Sequence, residues 1–155
     1  MLRFSSFSLL LSLLCLAPAC GVSPSANEGD EVSSELRALR SNEIIGTLAY
    51  GQTSDPVDYT NTPLYRAFQF QGTAGDQVDV WVRAGEGDAR AWIVNGSFKN
   101  VVTNDNADST TRDAHMTATL SLSGTHYIVF REKSSDDASF TVSLAQLNGG
   151  GGGGG

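Results

Sequence analysis

Apolar and polar residues alternate along much of the chain with a period of two. In the run 78–83, valine occupies every second position, and Asp79, Trp81 and Arg83 lie between the valines. The runs 116–122 and 140–144 also place an apolar residue at every second position. This period is typical of a β-strand with one face buried on a core and the other turned outward.

Strand-like runs recur along the chain with turn residues between them, and no ten-residue helical pattern interrupts them. Asn95-Gly96 is the clearest hairpin signal among these turns. About eight short strands at this spacing predict an all-β domain, an antiparallel β-sandwich of jelly-roll-like type. The predicted strands are Ile44–Tyr50, Leu64–Phe70, Gln77–Arg83, Ala89–Val94, Phe98–Thr103, Ala114–Leu122, His126–Arg131 and Phe140–Ala145.

The first nineteen residues have the composition of a cleavable export signal. Arg3 is the only charged residue among the first 27, and the apolar run 9–17 follows it. As a helix this run would be about 14 Å long, against about 30 Å for the hydrocarbon core of a membrane. Pro18 and Pro24 break any longer helix. The pattern therefore predicts a signal peptide over residues 1–19 and not a membrane span.

Cys20 follows Ala17-Pro18-Ala19, and small residues at these positions suit signal cleavage. The motif resembles the lipobox of bacterial lipoproteins, in which the thiol after the cut is acylated. The other cysteine, Cys15, leaves with the signal, so Cys20 is the sole thiol of the predicted mature chain and has no disulfide partner within it. The resemblance implies lipidation at Cys20 and a place in the bacterial cell envelope, with outer membrane favoured because Gly21 is not Asp. A plain secreted protein is the alternative.

Composition divides the rest of the chain and limits its partners. Residues 20–42 are expected to be the lipidated end and a flexible polar tether, 43–147 the β-sandwich domain, and 148–155 a disordered polyglycine tail. The net charge is −7, and loss of Arg3 leaves nine Lys and Arg against 17 Asp and Glu, a charge of −8. No nucleic acid partner is expected of so acidic a chain, and membrane contact is expected through the lipid alone.

Several motifs occur in a characteristic order. Gly75-Asp76 precedes the valine run, Asn104-Asp105-Asn106 forms a polar turn, and Ser123-Gly124 leads into Tyr127. Together with LYRAFQF at 64–70 and SFTVSL at 139–144, these motifs resemble the bacterial pre-peptidase C-terminal domain family, whose relatives include collagen-binding domains of secreted collagenases. The resemblance covers about 43–147. It implies a noncatalytic β-sandwich that binds or spaces and is not itself an enzyme.

Two groups of oxygen-bearing side chains are candidates for Ca²⁺, which takes six to eight oxygen ligands. The denser group lies in one predicted turn, and a self-bonded polar turn is the alternative explanation for it. The second group combines an N-terminal residue with an early loop, in the manner of some collagen-binding relatives. The first group is Asn104, Asp105, Asn106 and Asp108, and the second is Glu43, Asp55 and Asp58.

Aromatic side chains are the remaining candidates for a binding site. Trp81, Trp92 and Tyr65 are predicted to face a ligand, although burial of both sheet faces would explain them equally well. His115 is expected on the polar side of its strand and is not expected to form a zinc site. The leading hypothesis is a lipid-anchored, noncatalytic envelope module for protein or polysaccharide interaction. The alternative is a calcium-dependent carbohydrate- or protein-binding domain that is accessory to a secreted peptidase system.

Overall fold

A computed structural model describes residues 39–133 and 137–148. The predicted signal peptide, Cys20, most of the tether and the glycines of 149–155 lie outside these ranges. The described residues form one 3-10 helix, Ser41–Glu43, and ten strands. The strands are β1 (Ile44–Thr47), β2 (Gln52–Thr53), β3 (Val57–Thr60), β4 (Arg66–Gly72), β5 (Gln77–Glu86), β6 (Ala89–Asn95), β7 (Asn100–Asn104), β8 (Ala114–Thr119), β9 (Gly124–Glu132) and β10 (Asp137–Gln146).

The strands pair into two sheets. Sheet A has the order β1-β4-β9-β6-β7, and sheet B has the order β2-β10-β5-β8, with β3 also paired to β10. The β1–β4 pair is parallel, whereas the other strand pairs are antiparallel. The predicted all-β sandwich is confirmed, with ten strands where about eight were expected and one parallel pair at the edge of sheet A.

The two additional strands, β2 and β3, form one interrupted edge of sheet B. β2 is only two polar residues long, β3 alternates over only four residues, and Pro56 between them cannot donate to a strand partner, so the sequence marks this edge weakly. At the interruption, the hydroxyl of Ser54 accepts a hydrogen bond from the amide of Val142 at 3.0 Å. A short, broken edge is a common protection against pairing with other chains.

The core lies between the two sheets and confirms the alternation in the sequence. Val78, Val80 and Val82 are fully buried, as are Phe140 and Val142. An aromatic chain joins the sheets, because Phe130 of sheet A meets Phe140 of sheet B edge-on with ring centroids 5.5 Å apart. Phe68 extends this chain on one side at 6.3 Å, and Tyr59 extends it on the other at 5.7 Å.

Two local predictions differ from the structure. Leu122, expected on the buried side of its strand, is 54% exposed because β8 ends at Thr119 and the chain turns. The Asn95-Gly96 hairpin does join β6 to β7, but its loop runs over residues 96–99. Phe98 holds the left-handed conformation in this loop, with φ of 58°, where glycine is the usual residue.

The folded unit extends slightly beyond the range 43–147. Leu39 packs on the outer side of sheet A, and the carboxylate of Glu43 accepts a hydrogen bond from the amide of Arg40. At the other end, the side chain of Asn148 accepts from the amide of Gln77 and donates to the carbonyl of Gly75, both at 2.8 Å. Asn148 therefore belongs to the fold and not to the tail.

Candidate binding face

The outer side of sheet B carries polar and aromatic side chains in register. Because β5 lies between β10 and β8, its outward residues are flanked on both sides. Trp81 lies opposite His115 on β8 and opposite Ser143 on β10. We call this surface face B. It consists of the half-buried or exposed side chains Gln77, Asp79, Trp81, Arg83, His115, Thr117, Thr119, Thr141, Ser143, Ala145 and Leu147.

Trp81 is the centre of face B. The imidazole of His115 stacks on its ring with centroids 4.0 Å apart and planes 13° apart. Nε2 of the same imidazole lies 2.5 Å from Oδ1 of Asp79, which fixes the plane of the ring. The position of His115 on the polar side of its strand is confirmed, and its partner is a carboxylate on the neighbouring strand.

Arg83 approaches Trp81 along the same strand. Its guanidinium carbon lies 4.8 Å from the centre of the indole ring, and Nη1 donates to the hydroxyl of Ser143 at 3.4 Å. Arg83 and His115 therefore both contact the indole ring of Trp81. Cation–π contact and stacking restrain the ring, which remains half-buried at the surface.

A shallow cleft continues face B beyond Asp79. It is lined by the exposed side chains of Gln77, Thr117, Thr119 and Leu147 together with the backbone region around Val78. Leu147 is 59% exposed and is the largest apolar group there. The bonds of Asn148 to residues 75 and 77 fix this end of β10 and with it the wall of the cleft.

The carboxylate of Asp76, which precedes Gln77 in the chain, links three separate segments near this cleft through hydrogen bonds. It accepts hydrogen bonds from the Thr73 amide, the Tyr50 hydroxyl and the Gln146 amide group, each at 2.8 Å. The Thr73 bond, followed by those of Tyr50 and Gln146, lowers the pKa of Asp76 below its usual range. Burial and the contact with Asp76 raise the pKa of Tyr50.

Two of the three predicted ligand-facing aromatics are not available to a ligand. Trp92 is 2% exposed and Tyr65 is 7% exposed, and their rings meet edge-on at 5.9 Å on the outer side of sheet A. The prediction for these two residues is wrong, because both rings are buried within an apolar cluster. Trp81 is half-buried on the outer side of sheet B, and its role as a ligand-facing residue stays a prediction.

The Asn104–Asp108 loop uses its oxygens internally. Asp105 pairs with the Lys133 ammonium at 2.7 Å, and Asp108 accepts from the amide and the hydroxyl of Thr110 at 2.7 and 2.6 Å. The Asn104 side chain accepts from the amide of His115 at 3.3 Å, and the Asn106 amide group lies within 3.1 Å of the Asp105 and Thr111 carbonyls. These contacts match the self-bonded turn that was the alternative to a calcium site.

These contacts also shift the pKa values of Asp105, Asp108 and Lys133. The hydrogen bond from Lys133 holds the pKa of Asp105 below its usual range, and Asp105 in turn raises the pKa of Lys133. The Thr110 bonds lower the pKa of Asp108. Both carboxylates are therefore ionised at neutral pH, but neighbouring donors already occupy them.

The second calcium candidate is dispersed. Glu43 is 7% exposed and engaged with the Arg40 amide, whereas Asp55 and Asp58 lie exposed along the broken edge of sheet B. Across residues 39–133 and 137–148, no group of three or more His, Cys, Asp or Glu side chains is placed to hold a metal ion. The prediction that these three residues converge is therefore wrong within the described chain.

Ser123 and His126 are close in sequence but have separate structural roles. The hydroxyl of Ser123 accepts from the amide of Ala74 at 2.9 Å. His126 is 1% exposed, stacks on Phe70 at 5.4 Å and contacts the Gly124 carbonyl through Nδ1 at 3.0 Å. His126 thus fills the core position where the family resemblance expects an aromatic residue.

Sequence reasoning located Trp81 but missed most of face B. Arg83 and Asp79 could have been found, because they share the outward side of the valine run with Trp81. The partnership with His115 depends on the β5–β8 register, which no local pattern contains. Within the described part of the chain, no helix is long and apolar enough to cross a membrane.

Comparisons with known proteins show the fold. No protein-family model and no curated protein matches the sequence. The pre-peptidase C-terminal domain of a Bacillus anthracis collagenase is similar in structure, with a TM-score of 0.51 and 11% identity over 65% of this chain and 95% of that one. The likeness confirms the β-sandwich that the sequence resemblance implied.

Two further similar structures superpose less well. One is the Aeromonas hydrophila PliG, a periplasmic inhibitor of g-type lysozyme, with a TM-score of 0.49 and 13% identity over 68% of this chain and 98% of that one. The other is carbohydrate-binding module CBM36 in complex with calcium and xylotriose, with a TM-score of 0.34 and 11% identity over 52% of this chain and 72% of that one. At these scores they add nothing to the description of the site.

Proposed function

We propose that this chain is a noncatalytic, lipid-anchored module of the bacterial cell envelope that binds a protein partner through face B. One observation carries the proposal: face B leaves Trp81, Arg83, His115 and Asp79 at the surface beside an open cleft, while the aromatic rings at the centre of the outer side of sheet A are buried. An aromatic and charged surface of this kind, held by a rigid sheet, is suited to recognition.

The residue types on face B support a protein partner. Trp and Arg are the side chains most often found at the energetic centres of protein interfaces. Here Arg83 and Asp79 offer a donor and an acceptor on either side of Trp81 along β5. The stacked His115 and the bonded Ser143 restrict their motion, which reduces the entropy lost when a partner binds.

A polysaccharide is the second candidate, and a different observation favours it. Hydroxyl side chains flank β5 on both sides, with Thr117 and Thr119 on β8 and Thr141 and Ser143 on β10. However, a sugar usually stacks on an open aromatic face, and the ring of Trp81 is already in contact with His115 and Arg83. A glycan would therefore have to bind the hydroxyl rows, or displace Arg83.

Site-specific photocrosslinking in the bacterium that makes the protein tests face B. A photoreactive residue at Thr141, on face B, is expected to form a discrete protein adduct, and Arg83→Ala in the same chain is expected to reduce its yield about tenfold. Gln71, on the outer side of sheet A, is the matched control position and should give no such adduct. Equal adducts at both positions, or an adduct unaffected by Arg83→Ala, would contradict the proposal.

The lipid anchor is supported by the N-terminal sequence alone. The apolar run 9–17, the Ala17-Pro18-Ala19 site and the lone mature thiol at Cys20 are the features of a lipidated export signal. Several acyl chains on one cysteine would hold the protein stably at the outer membrane. Cys20→Ala, which removes the acylated thiol, is expected to move the protein from the membrane fraction to the soluble fraction. Globomycin, which blocks cleavage, is expected to leave the uncleaved precursor. Unchanged processing and membrane retention would contradict the anchor.

A further inference from the structure

The two edges of sheet B differ in how they are protected. One edge is the short, broken pair of β2 and β3 on β10, whereas β8 alone forms the other edge. β8 is six residues long and pairs with β5 in one uninterrupted register, from Ala114 to Thr119. It contains no proline, lysine, carboxylate or bulge, which are common devices that keep an edge strand from pairing. β8 is therefore a regular edge strand without the protection of the opposite edge.

The backbone groups of Thr117 and Thr119 point away from β5. The amide of Leu120 donates at 2.9 Å to the carbonyl of the residue just before β5, whereas the amide of His115 donates at 3.3 Å to the side chain of Asn104 on β7. Successive residues of a strand bond to alternate sides, so the amides and carbonyls of Thr117 and Thr119 share the direction of His115. Within the described part of the chain, these groups have no hydrogen-bond partner.

The core has a partly exposed apolar rim beside this edge. Val101 and Val102 of β7 and Ala118 of β8 pack on the core but are only partly buried, whereas Met116 is 1% exposed. β7 of sheet A is the neighbour of β8 across the sandwich. A strand added to β8 would place one row of its side chains on this apolar rim and the other row on the side of face B.

We propose that the protein partner supplies an extended segment that pairs with β8 and adds a strand to sheet B. This inference rests on the proposed function, because β8 is one side of face B. The free amides and carbonyls of Thr117 and Thr119 recur at about 7 Å, which is the two-residue repeat of another extended backbone. The pairing covers about four residues, since Asn104 already bonds the amide of His115 and closes that end of the edge.

The two sides of the pairing site define the composition of the segment. Side chains that turn inward contact Val102 and Ala118, so alternate positions of the segment are expected to be apolar. Side chains that turn outward lie beside the hydroxyl groups of Thr117 and Thr119, so the positions between are expected to be β-branched or polar. The net charge of −7 favours a segment without acidic residues.

Amide hydrogen exchange on the mature chain, made soluble by Cys20→Ser, tests whether the edge is open. The amides of Thr117 and Thr119 are expected to exchange at least ~10-fold faster than those of Met116 and Ala118, which point toward β5. Equal protection of all of these amides would overturn the proposal, because the edge would already be covered. Protection of Thr117 and Thr119 that grows with protein concentration would assign the edge to a second copy and would also overturn it.

Photocrosslinking from Thr141 in the cell tests the pairing itself. Thr117→Pro removes an amide that points away from β5, so it blocks a partner strand without removing a hydrogen bond of sheet B. It is expected to reduce the yield of the Thr141 adduct about tenfold. Thr119→Pro acts on an amide with the same direction and replaces Thr117→Pro if that variant does not unfold cooperatively in urea.

Ile45→Pro is the matched control, because it places proline on β1, the exposed edge of sheet A, at a shift in strand register where proline is tolerated. It is expected to leave the adduct unchanged, and equal loss in Ile45→Pro and Thr117→Pro would overturn the proposal. An adduct that survives the proline in β8 would overturn strand pairing but leave the proposed function standing. No Thr141 adduct in the parent chain would instead overturn the proposed function, and strand pairing with it.

Discussion

The two outer faces of the sandwich are built on similar strands but differ in what surrounds them. The outer side of sheet A, which we call face A, places Trp92 in an apolar cluster with Tyr65, Ala67, Val94 and Val129, where it is 2% exposed. Face B places Trp81 among a histidine, an arginine and hydroxyl groups, where it remains half-buried. The same residue type thus stabilises the fold on one face and is available for recognition on the other, and its neighbours decide which.

The largest expected effect separates the two tryptophans. Trp92→Ala removes a buried ring and its contact with Tyr65, and is expected to cost about 3–5 kcal/mol of unfolding free energy. Trp81→Ala removes a half-buried ring and is expected to cost about 1 kcal/mol. Urea unfolding of both variants measures the difference. Equal losses would mean that the two faces do not differ in the way described.

A smaller loss of stability is expected at Phe98, which packs with Tyr127 at the edge of the face A cluster. Phe98 has a left-handed backbone conformation, and its ring stacks on that of Tyr127. Phe98→Ala loses the ring but keeps the strain, and is expected to destabilise the protein by about 2 kcal/mol. Phe98→Gly loses the ring and relieves the strain, so it should be about 1 kcal/mol more stable than Phe98→Ala. The reverse order in thermal or urea unfolding would show that the loop is not strained.

Low pH is expected to lower the free energy of unfolding through Asp76, which lies next to the cleft of face B. The pKa of Asp76 is lowered in the fold, so its ionised form stabilises the protein above the unfolded value of 3.8. This contribution is lost as pH falls through the lowered pKa. Urea midpoints between pH 6 and pH 3 should therefore depend less on pH in Asp76→Asn than in the parent.

Asp58→Asn is the control for this effect, because Asp58 is an exposed carboxylate on the broken edge. It should keep the pH dependence of the parent protein. If Asp76→Asn and Asp58→Asn give the same pH profile, Asp76 does not stabilise the cleft end.

The smallest expected effect concerns calcium. The carboxylates of Asp105 and Asp108 are engaged with Lys133 and Thr110, so millimolar Ca²⁺ is expected to leave Tm unchanged within about 1 °C. A larger rise, removed by Asp105→Asn, would restore the calcium-dependent alternative.

The contrast between the faces was only partly present in the sequence. Strict alternation around Trp81 predicted one buried and one outward side, and the structure confirms it. Around Trp92 the run Ala91–Val94 is apolar without interruption, which is typical of a strand buried on both sides. That signal could have placed Trp92 in a covered face.

Other features depended on contacts between distant parts of the chain. The edge strands β2 and β3 are only two and four residues long and are interrupted by Pro56, so their pairing with β10 is what defines them. The Asp79–His115 contact joins residues 36 positions apart and exists because β5 and β8 pair in one register. No local period specifies such a register, and this is why face B emerged from the structure.

The distinction between the two faces is tested most directly by the two indole N–H resonances of the mature protein. A soluble paramagnetic agent added during NMR is expected to broaden the indole signal of Trp81 strongly and that of Trp92 little, because Nε1 of Trp92 is buried. Equal broadening of both signals, or stronger broadening of Trp92, would contradict an accessible Trp81 on face B and a buried Trp92 on face A.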